Sequence, residues 1–170
     1  MTVLRATDVR FERDGRDLVE PFSLVLMPGD LATIVQPTKF AASLAARLCG
    51  AIVKPTSGSI FVGDYETRLQ PPEAKRRVGF VDADGFVGDG HAFACEVAFH
   101  AACWNVGHAR ARERADAALA ELPAYDAYAR AVALALIAEV DLVVLDRPPE
   151  AIARAVAAIV PHASILVSAT

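Results

Sequence analysis

The stretch Leu31–Gly63, LATIVQPTKFAASLAARLCGAIVKPTSGSIFVG, decides how this chain folds. Leu31 to Val35 is apolar and partly β-branched, the pattern of a buried strand. Gln36 to Lys39 forms a short polar turn. Ala41 to Cys49 reads as a helix, and Gly50 stands where a helix stop belongs. Pro55-Thr56-Ser57-Gly58 marks a turn, and Ser59 to Val62 is a further strand. Strand, tight turn and helix in that order form the setting in which backbone N–H groups can be presented to a phosphate.

The flanking sequence continues an α/β pattern. Thr2 to Glu12 reads as a strand, with Phe11 alternating with polar neighbours and facing the core. Asp14-Gly15-Arg16-Asp17 is a hairpin turn, Leu18 to Leu26 a returning strand, and Pro28-Gly29-Asp30 the next turn. Beyond the opening stretch, Arg68 to Lys75 is a polar loop and Arg77 to Val81 a buried strand. Asp82-Ala83-Asp84-Gly85 reads as a turn, although its two carboxylates also suit a cation. His91 to Trp104 and Ala109 to Leu122 are helices, the second amphipathic with Arg110, Arg112, Glu113 and Arg114 near its start. Then come a helix from Ala127 to Ala138 and the strand Asp141–Asp146, DLVVLD, which ends in a carboxylate. A helix from Glu150 to Ile159 and a last strand from Ser164 to Val167 complete the pattern.

Composition narrows the function classes. A chain of 170 residues, 54% hydrophobic and 22% charged, is long enough for one domain with a real core. A net charge of −4 gives no global footprint for nucleic-acid binding. The N-terminal residues carry charges throughout, unlike a signal peptide, and Glu139 and Asp141 argue against a membrane helix in the apolar run Ala131–Leu145. Cys49, Cys95 and Cys103 lie in apolar contexts, which implies reduced, buried thiols and a cytoplasmic location. His91, Cys95, His100 and Cys103 are suitable types for zinc. At about 100° per residue, however, His100 falls opposite the other three on a helix, so no metal site is expected. No Gly-x-Ser-x-Gly element or paired Cys/His motif offers a nucleophile.

The order PGDLATIV, a helix, then KPTSGSIFVGD resembles the nucleotide-binding domain of ABC transporters, from Leu4 to Thr170. The resemblance implies an α/β, P-loop NTPase-like (RecA-like) core sheet with an N-terminal antiparallel β part and a shortened helical subdomain. It places residues 1–170 in one domain, with 1–90 and 127–170 as core and 91–126 as the reduced helical part. Gln36 to Ser43 align with the family's phosphate loop, with Ala42 in the place of its lysine. DLVVLD resembles the strand that ends in the magnesium-linked aspartate, here Asp146, with Arg147 in the place of the catalytic glutamate. Ala83 takes the place of the family's Q-loop glutamine, Leu122 to Asp126 that of its signature, and Thr170 that of its switch histidine. The adenine-stacking position falls near Arg13.

A phosphate loop needs glycines that let the backbone curl, a lysine for the phosphates, a hydroxyl for magnesium and a group that activates water. Thr38, Lys39, Ser43 and Asp146 are what this chain offers as a vestigial nucleotide site, and no catalytic residue is identified. The expectation is a non-catalytic ABC-type ATPase-like protein, a structural or regulatory subunit of a membrane transport complex without a cofactor. Its implied partners are a membrane permease subunit and/or an authentic ABC ATPase or a second copy, with Ala109–Leu122 as docking helix. Its expected location is the cytoplasm, at the inner face of the cell membrane. The alternative is a subunit that binds or hydrolyses ATP with magnesium through a deviant site, with Lys39 as a displaced phosphate lysine and not a solvent-exposed turn residue.

Overall fold

The computed structural model describes residues 1–123 and 126–170. Its elements run β1 (Leu4–Arg10), β2 (Glu12–Arg13), β3 (Arg16–Asp17), β4 (Phe22–Leu26), β5 (Leu31–Val35), α1 (Lys39–Cys49), β6 (Ser57–Val62), β7 (Tyr65–Glu66) and α2 (Pro71–Lys75). They continue with β8 (Val78–Val81), α3 (Gly90–Cys103), α4 (His108–Glu121), α5 (Ala127–Ala135), β9 (Leu142–Asp146), α6 (Glu150–Ile159) and β10 (Ser164–Ala169). An antiparallel sheet has the order β4-β1-β6-β7, and a parallel sheet the order β5-β10-β9-β8. The short pair β2–β3 forms the hairpin about Asp14-Gly15.

Helix α1 lies between the two sheets. Its Leu44, Ala45 and Leu48 join Leu4, Val9 and Ile60 of the antiparallel sheet and Leu142, Val144 and Leu166 of the parallel sheet in one core. The opposite face of the parallel sheet, with Val143, Leu145 and Ile165, packs on α3, α4, α5 and α6 in a second core. Strand β9 thus divides its residues by parity between two apolar layers, and all five are buried. This is why LVVL shows no polar alternation.

Two glycines are fixed by close approach. Gly58 has φ +78°, and a Cβ there would lie 2.3 Å from the Asp8 carbonyl oxygen, at the irregularity where β1 and β6 change register. Gly79 lets the Ala135 carbonyl of α5 come within 2.9 Å of where a Cβ would sit.

Several sequence expectations need correction. Leu31–Val35 is a strand but not a buried one: it is the sheet edge, and only Ile34 is buried, while Leu31 and Val35 are 51% and 64% exposed. α1 packs against it, and Leu31, Thr33 and Val35, which alternate with Ala32 and Ile34, are exposed. The expected Arg68–Lys75 loop contains α2, started by Pro71 and Pro72, whose fixed φ suits a first turn. Residues 18–21 lie outside β4, which begins only at Phe22. Cys49 is buried, and burial pushes its thiol up to about 12. Cys95 and Cys103 are exposed, because only Phe93, Val97 and Ala101 of α3 face the core. No helix among the described residues is long and apolar enough to cross a membrane.

Candidate functional site

In an open parallel sheet, ligands bind at the carboxyl ends of the strands. Here those ends carry Asp82 after β8, Asp146 at the end of β9, Ser168 on β10, and the turn from β5 into α1.

The turn is occupied by its own side chains. Gln36 is buried; its Oε1 accepts from the Glu20 amide at 2.8 Å and its Nε2 donates to the Glu20 carbonyl at 3.2 Å. It therefore clamps the segment before β4 and does not face a ligand. Thr38 is the N-cap of α1: its Oγ1 accepts from the Ala41 amide at 3.1 Å, and its carbonyl from the Ala42 amide at 2.9 Å. Two amides of the helix N-terminus are thereby satisfied within the chain. Lys39 is exposed, the Phe40 ring projects outward at 64% exposure, and Ala42 is fully buried with no cation to offer. Ser43 is half-buried.

Each carboxylate at the neighbouring strand ends has an arginine. Asp82 pairs with Arg47 of α1 at 2.9 Å. Burial raises the Asp82 carboxyl, but the Arg47 hydrogen bond, the Asp84 amide and the Arg47 charge together hold it below the usual carboxylate range. Asp146 is fully buried, accepts from Ser168 Oγ at 2.8 Å, and has the Arg147 Nε 3.4 Å from Oδ1. Its Oδ2 has no hydrogen-bond partner among the described residues. The Tyr128 hydroxyl donates to the Asp146 carbonyl at 3.1 Å. Burial first, then the charges of Asp146 and Asp82, push that phenol well above its ordinary value, so it stays a neutral donor. Arg147 has φ +47°, a left-handed conformation that costs a residue with a Cβ about 1–2 kcal/mol.

Comparison with known proteins places this geometry. No family model matches the chain. The hemin import ATP-binding protein HmuV of Rhodopseudomonas palustris is 31% identical over 123 residues, 71% of this chain and 46% of that protein. The chain is thus similar in sequence to an ABC transporter ATP-binding protein. It spans just under half the length of this curated relative. Solved structures agree on the α/β, P-loop NTPase-like fold. The ATP-binding subunit of an ABC transporter superposes with a TM-score of 0.75 at 16% identity, over 98% of this chain and 79% of that one. CbiO1 of Clostridium perfringens, part of the ABC transporter complex cbiONQ, gives 0.72 at 17%, over 99% and 79%.

Within the ABC fold, the expected site residues fall into two groups. Thr38, Lys39 and Ser43 lie on the turn and first helical turn, whereas Asp146 is hydrogen-bonded across β9 to β10. The Asp146 carboxylate is buried against the Ser168 hydroxyl and the Arg147 guanidinium. Ala83 lies in the turn closed by the Gly85 amide on the Asp82 carbonyl at 3.0 Å. Arg13 is exposed in the β2–β3 hairpin, and Phe11 packs against the core. The signature-like segment Leu122–Asp126 lies partly outside the described residues; within it, Asp126 caps α5 by accepting from the Ala129 amide at 2.8 Å. His91 Nε2 lies 3.8 Å from Cys95 Sγ, and no group of three or more potential ligands gathers among the described residues.

Sequence reasoning missed Arg47, Tyr128 and Ser168. Ser168 left a signal, a hydroxyl interrupting the apolar run of the last strand. Arg47 and Tyr128 left none, because a helix-end arginine and a tyrosine in an alanine-rich helix are ordinary.

Proposed function

We propose that this ABC-type domain serves as a scaffold or regulatory subunit of a membrane transport complex and does not turn over ATP. One observation carries the reading: the helix N-terminus that would meet a triphosphate is capped by Thr38, and the position of the phosphate lysine is the buried Ala42. Side chains at Lys39, Phe40 and Ala41 stand where glycines would let the backbone curl around phosphate. Arg147 cannot accept a proton from water, so the general base for hydrolysis has no candidate beside Asp146.

The fold offers a docking surface for a transport subunit at the inner face of the membrane. A groove of about 600 Å³ runs past Ile52, Val53, Phe80 and Phe86 and has Arg47 and Glu96 at its rim, which suits one apolar face of a helix. Arg110 and Arg114 of α4 pair with Glu139, and Arg112 pairs with Asp116 at 2.9 Å.

A nucleotide-binding reading draws on the free Oδ2 of Asp146, an acceptor of the kind magnesium uses. Titration calorimetry with magnesium-ATP separates the two. The scaffold reading expects no binding in the micromolar range, and micromolar affinity abolished by Lys39→Ala overturns it. Affinity purification from solubilised membranes is expected to recover a permease subunit with the chain.

A further inference from the structure

The amino ends of β8 and β9 lie opposite the strand ends that carry Asp82 and Asp146. Arg76 just before β8 and Glu139 shortly before β9 mark that side, where α2, α3 and α4 come together. The chain turns sharply between α3 and α4. The Trp104 amide donates to the His100 carbonyl at 3.0 Å, and the Val106 amide donates back to the Ala101 carbonyl at 2.8 Å. Asn105 between them takes a left-handed φ of 53°, which its short polar side chain tolerates. Val106 packs on the helical core, and Trp104 is held half-buried at the turn.

A cleft of two lobes results. The smaller, about 230 Å³, has Lys75 and the 62% exposed Phe99 on its walls. The larger, about 610 Å³, has Arg110 and Arg114, and Arg76 and Trp104 border both lobes. The charge of the cleft is one-sided. Four cations line it against the single carboxylate of Glu139, in a chain whose net charge is −4. Arg110 and Arg114 share that carboxylate through one oxygen, Oε1. Lys75 and Arg76 have no ion-pair partner among the described residues. The start of α4 borders the larger lobe and adds to this positive field, because its N-cap, Gly107, brings no side-chain oxygen to the first amides.

We propose that this cleft binds a small aromatic phosphate, its ring against Phe99 and Trp104 and its phosphate on Arg76 and Arg110. Guanidinium forks match phosphate oxygens in pairs, and an aromatic ring gains from burial beside an exposed phenyl and a half-buried indole. Arg76 and Trp104 stand where the lobes join, so one ligand spans the apolar and the cationic wall. The site is separate from the strand-end crevice: Thr38, Lys39, Ser43 and Asp146 line neither lobe.

Trp104 is the one tryptophan of the chain, so its fluorescence reports the cleft directly. The full chain is titrated with AMP as the probe, and with adenosine and inorganic phosphate as its two halves. AMP is expected to quench Trp104 saturably, with adenosine and phosphate each binding about tenfold or more weakly. Arg76→Ala is expected to weaken AMP about tenfold and to leave adenosine unchanged. Phe99→Ala is expected to weaken AMP and adenosine alike. Both variants replace exposed side chains and are expected to melt with wild type. Lys39→Ala is expected to leave AMP binding as it is. Quenching that does not saturate, phosphate binding as tight as AMP, or an affinity that neither cleft variant moves overturns the proposal. AMP binding abolished by Lys39→Ala overturns it too, since the ligand then sits at the start of α1. Magnesium-ATP binding lost in Lys39→Ala, alongside the expected AMP results, overturns the scaffold reading and leaves the cleft intact, so the two failures are distinct.

Discussion

At the scale of single residues, the crevice is governed by how its charges are paired. The folded Asp82 carboxyl lies below its ordinary value, so it binds fewer protons than in the unfolded chain. Its pairing with Arg47 stabilises the fold fully above the unfolded carboxylate pKa of about 4, and that contribution is lost as pH falls through the lower folded value. Asp82→Asn should therefore lower the melting temperature at neutral pH, with the gap closing towards pH 3; a gap that stays constant across that range contradicts the assignment. The identities of Asp82, Asp146 and Arg147 were legible in sequence, but the pairing was not. An arginine following DLVVLD says nothing of its φ, and φ is what returns the guanidinium to the carboxylate.

At the scale of elements, α1 and β9 were the clearest in sequence. A fully apolar run bounded by acidic residues specifies a strand with both faces covered, and β9 is one. β5 misled because its five residues look equally apolar, while its exposure depends on a neighbour that sequence pattern cannot place. α2 was hidden by prolines, which read as loop although they suit a helix start. The start of α1 is a test of the site as well as of the helix. Thr38→Ala removes the side-chain cap on the Ala41 amide and should destabilise the domain by about 0.5–2 kcal/mol, read from denaturant midpoints. A neutral result would mean that the N-terminal amides are satisfied by something else.

At the scale of the whole molecule, the two sheets meet one helix from opposite sides, and both end on the side of consecutive strands β4 and β5. Val25, Met27, Leu31, Val35 and Phe40, all between 45% and 64% exposed, follow that side of the chain. Neither β4 nor β5 carries a proline, a lysine or any other charged residue to guard a free edge. Isolated protein should become turbid with rising concentration, and Thr33→Lys, a charge in the middle of β5, should suppress it in light scattering. Equal scattering by both proteins would show that the edge is not the adhesive surface.

β10 follows both β5 and β9 in sequence, yet it sits between them in the parallel sheet, hydrogen-bonded to β5 on one side and β9 on the other. The growing polypeptide cannot close this sheet as it leaves the ribosome. Until Ser164–Ala169 has emerged, β5 and β9 remain separated halves with an empty lane between them. Synthesis thus leaves an interval in which a chaperone, or another unfinished chain, can reach that lane first.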